Sequence, residues 1–136
     1  PNPPPNLACR YFTHSTETII WAGKTLKSKH KFNYSDMKEI NGGKQMKDVW
    51  TMTSPKKTEK LEGRHPTQKP LELLKRLILS STSEGDQVLD PFNGSGTTGV
   101  ACISTNRRYI GIELEKEYSS LSKKRFKKTQ KNLFNN

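Results

Sequence analysis

Apolar positions recur with a helical period over residues 70–78, where Leu71, Leu74, Leu77 and Ile78 share one face and Pro70 is suited to the first turn. Beyond that helix the pattern switches between short apolar runs and longer mixed stretches. Residues 87–90 read as a strand, 97–104 as a helix, 108–112 as a strand, and 115 to about 128 as a helix begun by acids and ended by bases. Strand, helix, strand, helix predicts an α/β fold with a parallel sheet. The upstream pattern is weaker: residues 16–22, 31–34 and 48–53 read as β-runs, with Asn41-Gly42-Gly43 as a turn, and would extend the sheet or form a hairpin flap. No internal repeat or extended low-complexity tract interrupts the chain.

The run Gln87-Val88-Leu89 leads directly into DPFNGSGTTG at residues 90–99. A β-run feeding a glycine-rich turn that opens a helix brings backbone close to a small cofactor, because glycine has no Cβ to clash. Gly94, Gly96 and Gly99 satisfy the G-x-G-x-x-G spacing, which by itself also fits a tight strand-to-helix connection with no ligand. Glu113 changes that balance. It ends the run Tyr109-Ile110-Gly111-Ile112, roughly 20 residues past the turn, where a carboxylate can accept hydrogen bonds from both ribose hydroxyls.

The nonamer Asp90-Pro91-Phe92-Asn93-Gly94-Ser95-Gly96-Thr97-Thr98 resembles the S-adenosylmethionine motif of amino-group DNA methyltransferases, which methylate adenine N6 or cytosine N4. Residues 64–70, RHPTQKP, resemble the segment that precedes the cofactor turn and closes over the methionine end of the cofactor in that family. Ile110-Gly111-Ile112-Glu113, with Glu115 and Tyr118, resembles the strand and acidic tip that follow. The order of these motifs is similar to the circularly arranged class whose catalytic half precedes its cofactor half. A nicotinamide dehydrogenase, the other reading of the glycines, gives no reason for DPF or for HPTQKP.

The resemblance implies a partial Rossmann-like, S-adenosylmethionine-dependent methyltransferase fold with parallel strands and flanking helices. It implies a cofactor site made of His65, Thr67, Gln68, Lys69, Asp90, Pro91, Phe92, Asn93, Gly94, Ser95, Gly96, Thr97 and Glu113. Glu113 would hold the ribose, Phe92 would lie against the adenine or methionine portion, and Thr67 and Lys69 would lie near the methionine carboxylate, to which a hydroxyl and an ammonium can donate. For His65 and Gln68, shaping the loop through backbone hydrogen bonds is an equally open role. The substrate implied is double-stranded DNA with its target base flipped out, since the amino group is unreachable in the stack. A cognate restriction endonuclease and a homodimer are further partners the resemblance leaves open.

Residues 2–6, NPPPN, together with Arg10-Tyr11-Phe12-Thr13 and the segment from Glu17 to Ala22, look like the stretch between catalytic motif and target-recognition region in this family. Amino-methyltransferases use an Asp/Asn/Ser-Pro-Pro-aromatic tetrad, and Asn2-Pro3-Pro4-Pro5 lacks its aromatic. The prolines read instead as a polyproline-like loop. No catalytic residue is therefore assigned in this chain, and the chain alone is expected to be inactive.

Composition agrees with a part of a larger enzyme. A length of 136 residues suffices for one domain, yet the hydrophobic fraction is 30%, and nine glycines leave it short of the roughly 45–50% typical with glycine counted. The first residue is Pro1, with no signal-like segment and no apolar run near the roughly 20 residues of a membrane span. The expectation is the C-terminal part of a longer, cytoplasmic bacterial enzyme. Residues 1–23 would follow the catalytic half, 24–63 face DNA, 64–130 bind the cofactor, and 131–136 form a tail.

Lysine and arginine number 24 against 13 acids, a formal net charge of +11, which favours a polyanion through phosphate contacts and counterion release. The basic middle segment, with Lys24, Lys27, Lys29 and Lys31 ahead of Lys44, Lys47, Lys56 and Lys57, is the DNA-facing choice, the last four as contacts. Residues 123–128, KKRFKK, read as the solvated face and last turn of a helix. Cys9 and Cys102 form no ligand cluster, Cys102 reads as a small core residue, and His14, His30 and His65 are too scattered for a metal. Three functions remain open: adenine-N6 methylation, cytosine-N4 methylation, and a catalytically silent module that keeps cofactor or DNA affinity.

Overall fold

The structure is a computed structural model that describes residue 8 and residues 10–134. Asn2-Pro3-Pro4-Pro5 and Cys9 lie outside the described residues. The elements run α1 (Tyr34–Ile40), a 3-10 turn (Lys57–Lys60), α2 (Leu71–Ser81), β1 (Gln87–Asp90), α3 (Thr97–Ile103), β2 (Arg108–Gly111) and α4 (Lys116–Phe134). From residue 70 onward this is the predicted order. β1 and β2 pair in parallel, with Gln87 opposite Arg108 and Asp90 opposite Gly111, so the two carboxyl ends lie side by side. The chain is a partial Rossmann-like α/β fold.

Helix α3 is the centre of the packing. Its small residues Ala101 and Cys102 are fully buried with Ile78 of α2, and Leu71, Leu74, Val88 and Tyr109 close around them. Burial pushes the Cys102 thiol up to about 11, as befits a small apolar core group. Pro70 takes the position just before α2, with extended backbone, and the Leu71 N–H behind it donates to Glu59 Oε2 at 2.9 Å. A carboxylate there complements the positive end of the helix dipole. α4 runs past the expected end at 128 because the residues after it, TQKNL, contain neither glycine nor proline.

Upstream the sequence pattern misleads. None of the β-runs at 16–22, 31–34 and 48–53 is a strand: a strand needs a neighbour for its backbone groups, and among the described residues only β1 and β2 pair. Around 31–34 a different device operates. The Asn33 side-chain amide donates to the Leu79 and Thr82 carbonyls, both at 2.7 Å, and so anchors α1 on the carboxyl end of α2, where Met37 is buried. Lys31, counted among the DNA-facing lysines, is instead paired with Asp86 at 3.0 Å. The turn at 41–43 forms as predicted, with φ of +66° and +79° at Gly42 and Gly43, a region that favours glycine.

Candidate cofactor site

The turn after β1 is built by its own side chains. Asp90 Oδ1 accepts the Phe92 N–H at 3.0 Å, which bends the chain directly past the strand end. Pro91 and Phe92 form the outside of that bend, and the Phe92 ring is 89% exposed. Asn93 returns inward: its N–H donates to the Ile112 carbonyl at 2.9 Å, and its buried Oδ1 accepts the Tyr109 hydroxyl at 2.6 Å. Burial holds that hydroxyl proton well beyond the ordinary phenol range.

Glu113 closes the turn from the neighbouring strand. One carboxylate oxygen accepts the Gly94 N–H at 2.6 Å and the other accepts the Glu115 N–H at 2.9 Å. The Glu115 N–H, with those of Gly94 and Leu114, holds the Glu113 carboxyl below its ordinary value of 4.5. Two predicted site elements, 19 residues apart in sequence, are thus joined by one charge-assisted hydrogen bond.

The glycines have internal reasons as well. A Cβ at Gly96 would lie 2.6 Å from Ser122 Cβ and 2.8 Å from the Phe126 ring, and one at Gly99 would lie 2.5 Å from that ring. Gly96 and Gly99 therefore let α4 press onto α3. Gly94, at φ +51°, faces the loop over residues 64–70, where a Cβ would meet His65 Nε2 at 3.1 Å.

That loop divides its residues. His65 packs against Tyr118 of α4 at 4.2 Å between ring centres with the rings tilted by 58°, and its Nδ1 accepts the Thr67 N–H at 3.3 Å, which leaves the proton of a neutral ring on Nε2, toward Gly94. Gln68 is only 7% exposed; its Nε2 donates to the Glu59 carbonyl at 3.1 Å, while its Oε1 has no protein partner among the described residues. Lys69 turns away to an exposed pair with Glu17 at 2.6 Å. The structure thus brings His65, Gly94 and Glu113 together, and it places Lys69 on Glu17.

Ser95 and Thr97 point inward, and what meets them is a residue the sequence reading placed in solvent. Arg125 of α4 is only 6% exposed, and its Nη1 donates to the Ser95 carbonyl at 2.7 Å and to Ser95 Oγ and Thr97 Oγ1 at 3.0 Å each. The solvated reading of KKRFKK is therefore corrected: Lys123, Lys124 and Lys127 are exposed and Lys128 pairs with Glu62, but Arg125 and Phe126 face inward. A signal was available. Tyr118, Leu121, Ser122, Arg125, Phe126 and Thr129 fall at helical spacing on one stripe, with the arginine inside it.

A groove of about 830 Å³ runs between β2 and α4, lined by Tyr109, Ile112, Lys123 and Phe126, and it reaches Asn93 and Glu113 but not Phe92 or Gly94. The lysines chosen for DNA lie elsewhere: Lys44 follows the glycine turn, and Lys56 and Lys57 open the 3-10 turn. With Lys47 they are exposed, and none of the four is ion-paired among the described residues. Between them Trp50 carries the Arg76 guanidinium over its ring at 4.9 Å. Among the described residues no group of three His, Cys, Asp or Glu side chains could hold a metal, and no helix is long and apolar enough to cross a membrane.

Comparison with known proteins gives concordant results. Residues 1–124 match the N6/N4 DNA methylase family. Over 125 residues the chain is 63% identical to the type II methyltransferase M2.DpnII of Streptococcus pneumoniae, covering 91% of this chain and 47% of that protein. It is 42% identical over 136 residues to the type II methyltransferase M.HinfI of Haemophilus influenzae, covering 96% of this chain and 38% of that one. The crystal structure of the M1.HpyAVI–SAM complex superposes with a TM-score of 0.57 at 43% identity, over 73% of this chain and 45% of that one. The chain spans about half the length, or less, of the curated relatives it matches.

Proposed function

The chain belongs to the N6/N4 DNA methylase family, and from that premise we propose that it forms the cofactor-binding and DNA-facing part of a site-specific DNA methyltransferase acting on adenine N6. The observation that carries the reading is the Glu113 carboxylate, held at the carboxyl end of β2 and bonded to the Gly94 N–H of the turn after β1. A carboxylate has about four acceptor sites and the backbone does not fill them, so ribose hydroxyls of S-adenosylmethionine can donate to Glu113 without breaking the turn. The residues present fit that cofactor: the acid sits at the strand ends and an exposed aromatic ring stands at Phe92.

Thr67 and Lys69 would meet the methionine carboxylate, for which Lys69 must leave Glu17; that exposed pair is weak enough to exchange. The Asp90–Phe92 bend sets the Phe92 ring where it can lie flat on the cofactor. Bound S-adenosylmethionine supplies a methyl carbon made electrophilic by its sulfonium sulfur. The acceptor amino group belongs to a base flipped from duplex DNA, with Lys44, Lys47, Lys56 and Lys57 on phosphates. No Asp-Pro-Pro-aromatic tetrad occurs in this sequence, so the chain by itself binds without transferring methyl.

Calorimetry with S-adenosylmethionine tests the reading. Glu113→Ala is expected to weaken binding roughly 10- to 100-fold, the scale of losing hydrogen bonds to a charged acceptor. Unchanged affinity would remove Glu113 from the site.

A further inference from the structure

A guanidinium buried behind a ligand-binding turn is costly to place there, and something must repay the desolvation. Arg125 is 6% exposed and no carboxylate forms an ion pair with it among the described residues. Besides the favourable charge of Glu59, its compensation is three oxygens, the Ser95 carbonyl, Ser95 Oγ and Thr97 Oγ1, all contacted by Nη1. Nη1 has two hydrogens, so one is shared between two of these acceptors, and the two hydroxyls lie 3.2 Å apart. The three oxygens flank Gly96, whose left-handed φ of +75° is the step by which the turn enters α3.

We propose that Arg125 is the positioning residue of the cofactor turn: it fixes the backbone from Ser95 to Thr97 from behind, so that cofactor affinity depends on a side chain that never touches the cofactor. This rests on the cofactor reading above. With Nη1 on the Ser95 carbonyl, rotation of the Ser95–Gly96 peptide is blocked. The Gly94 N–H, two peptide planes away, then stays aimed at Glu113. A lysine keeps the charge but carries it on a flexible stem rather than a rigid planar group, whereas methionine keeps an apolar stem and removes every donor.

The test is calorimetric titration of S-adenosylmethionine into the intact protein, alongside thermal unfolding, for wild type, Arg125→Met, Arg125→Lys and Met37→Ala. Met37 is buried where α1 packs on α2, so its truncation lowers stability without touching the turn. Arg125→Met is expected to lose roughly 10-fold or more in affinity, Arg125→Lys to fall between it and wild type, and Met37→Ala to stay within about threefold of wild type. Where Arg125→Met does not fold, Arg125→Lys carries the test. Wild-type-like affinity in the folded Arg125 variants overturns the inference, as does an equal loss in Met37→Ala at matched stability. Absence of binding by the wild-type protein sinks the cofactor reading itself, which separates the two failures.

Discussion

Gly99→Ala sets two known effects against each other at one atom. Gly99 lies inside α3 with no positive φ, so alanine there gains about 1 kcal/mol of helix propensity. Against that gain, the new Cβ would lie 2.5 Å from Phe126 Cε1 and Cζ and 2.7 Å from Tyr109 Cε1. Carbon atoms pack at about 3.5–4.0 Å, so about 1 Å must be opened. Neither ring can swing away cheaply. They pack edge to face at 5.7 Å, and the Tyr109 hydroxyl is tied to Asn93 at 2.6 Å.

Overpacking of this kind costs about 1–3 kcal/mol, and an overlap on two constrained rings belongs at the upper end. The net expectation is a loss of about 2 kcal/mol, a fall in Tm of roughly 6–10 °C for a domain of this size. Urea unfolding followed by circular dichroism measures it. Gly99→Ala/Phe126→Leu should then be more stable than the two single losses summed, because the smaller side chain frees the space, with a coupling of at least about 1 kcal/mol. A Gly99→Ala protein as stable as wild type would show that helix propensity wins and that α3 and α4 are not in van der Waals contact here.

Two other predictions concern charge. Replacing Lys44 and Lys47 by Gln should lower the log–log salt slope of DNA binding by roughly one for each phosphate no longer neutralised, whereas Lys123→Gln/Lys127→Gln should change it less; the reverse ranking would move the DNA face to α4. Because the folded Glu113 pKa lies below its ordinary 4.5, its hold on the turn is present above that value and is lost as pH falls through the depressed one. The side-chain carboxyl resonance of Glu113 should therefore titrate with its midpoint below the ordinary 4.5. A midpoint at or above 4.5 would contradict the bonds drawn to Glu113.

What could be read from sequence follows the range of the forces involved. β1, β2, α2 and α3 were legible because each is specified locally, by an apolar period and by glycine or proline at its ends. The β-like runs before residue 55 were not, because alternation predicts a strand only when a neighbouring strand exists, and none does among the described residues. Asn33 shows the same limit from the other side: a polar residue in a β-like run decides the local fold by reaching two carbonyls 46 and 49 residues away. At the candidate site, the position of Glu113 beside the turn was legible from its distance along the chain. Arg125 was missed because charge was weighed ahead of its place on the buried stripe of α4.

The two-stranded sheet has a bearing on how this chain behaves in a tube. Parallel pairs are ordinarily covered on both faces and flanked by further strands. Here the described residues add no third strand to either side, while Leu89, Ile110, Ile112 and Leu114 stay exposed, the last at 93%. Open ladder groups beside bare aliphatic side chains are a template for association. The lysine-rich surface opposes this through mutual repulsion, so the chain's colloidal stability hangs on ionic strength: it should be most soluble in dilute buffer, and added salt, by screening the +11 charge, should bring the naked edges of neighbouring molecules together.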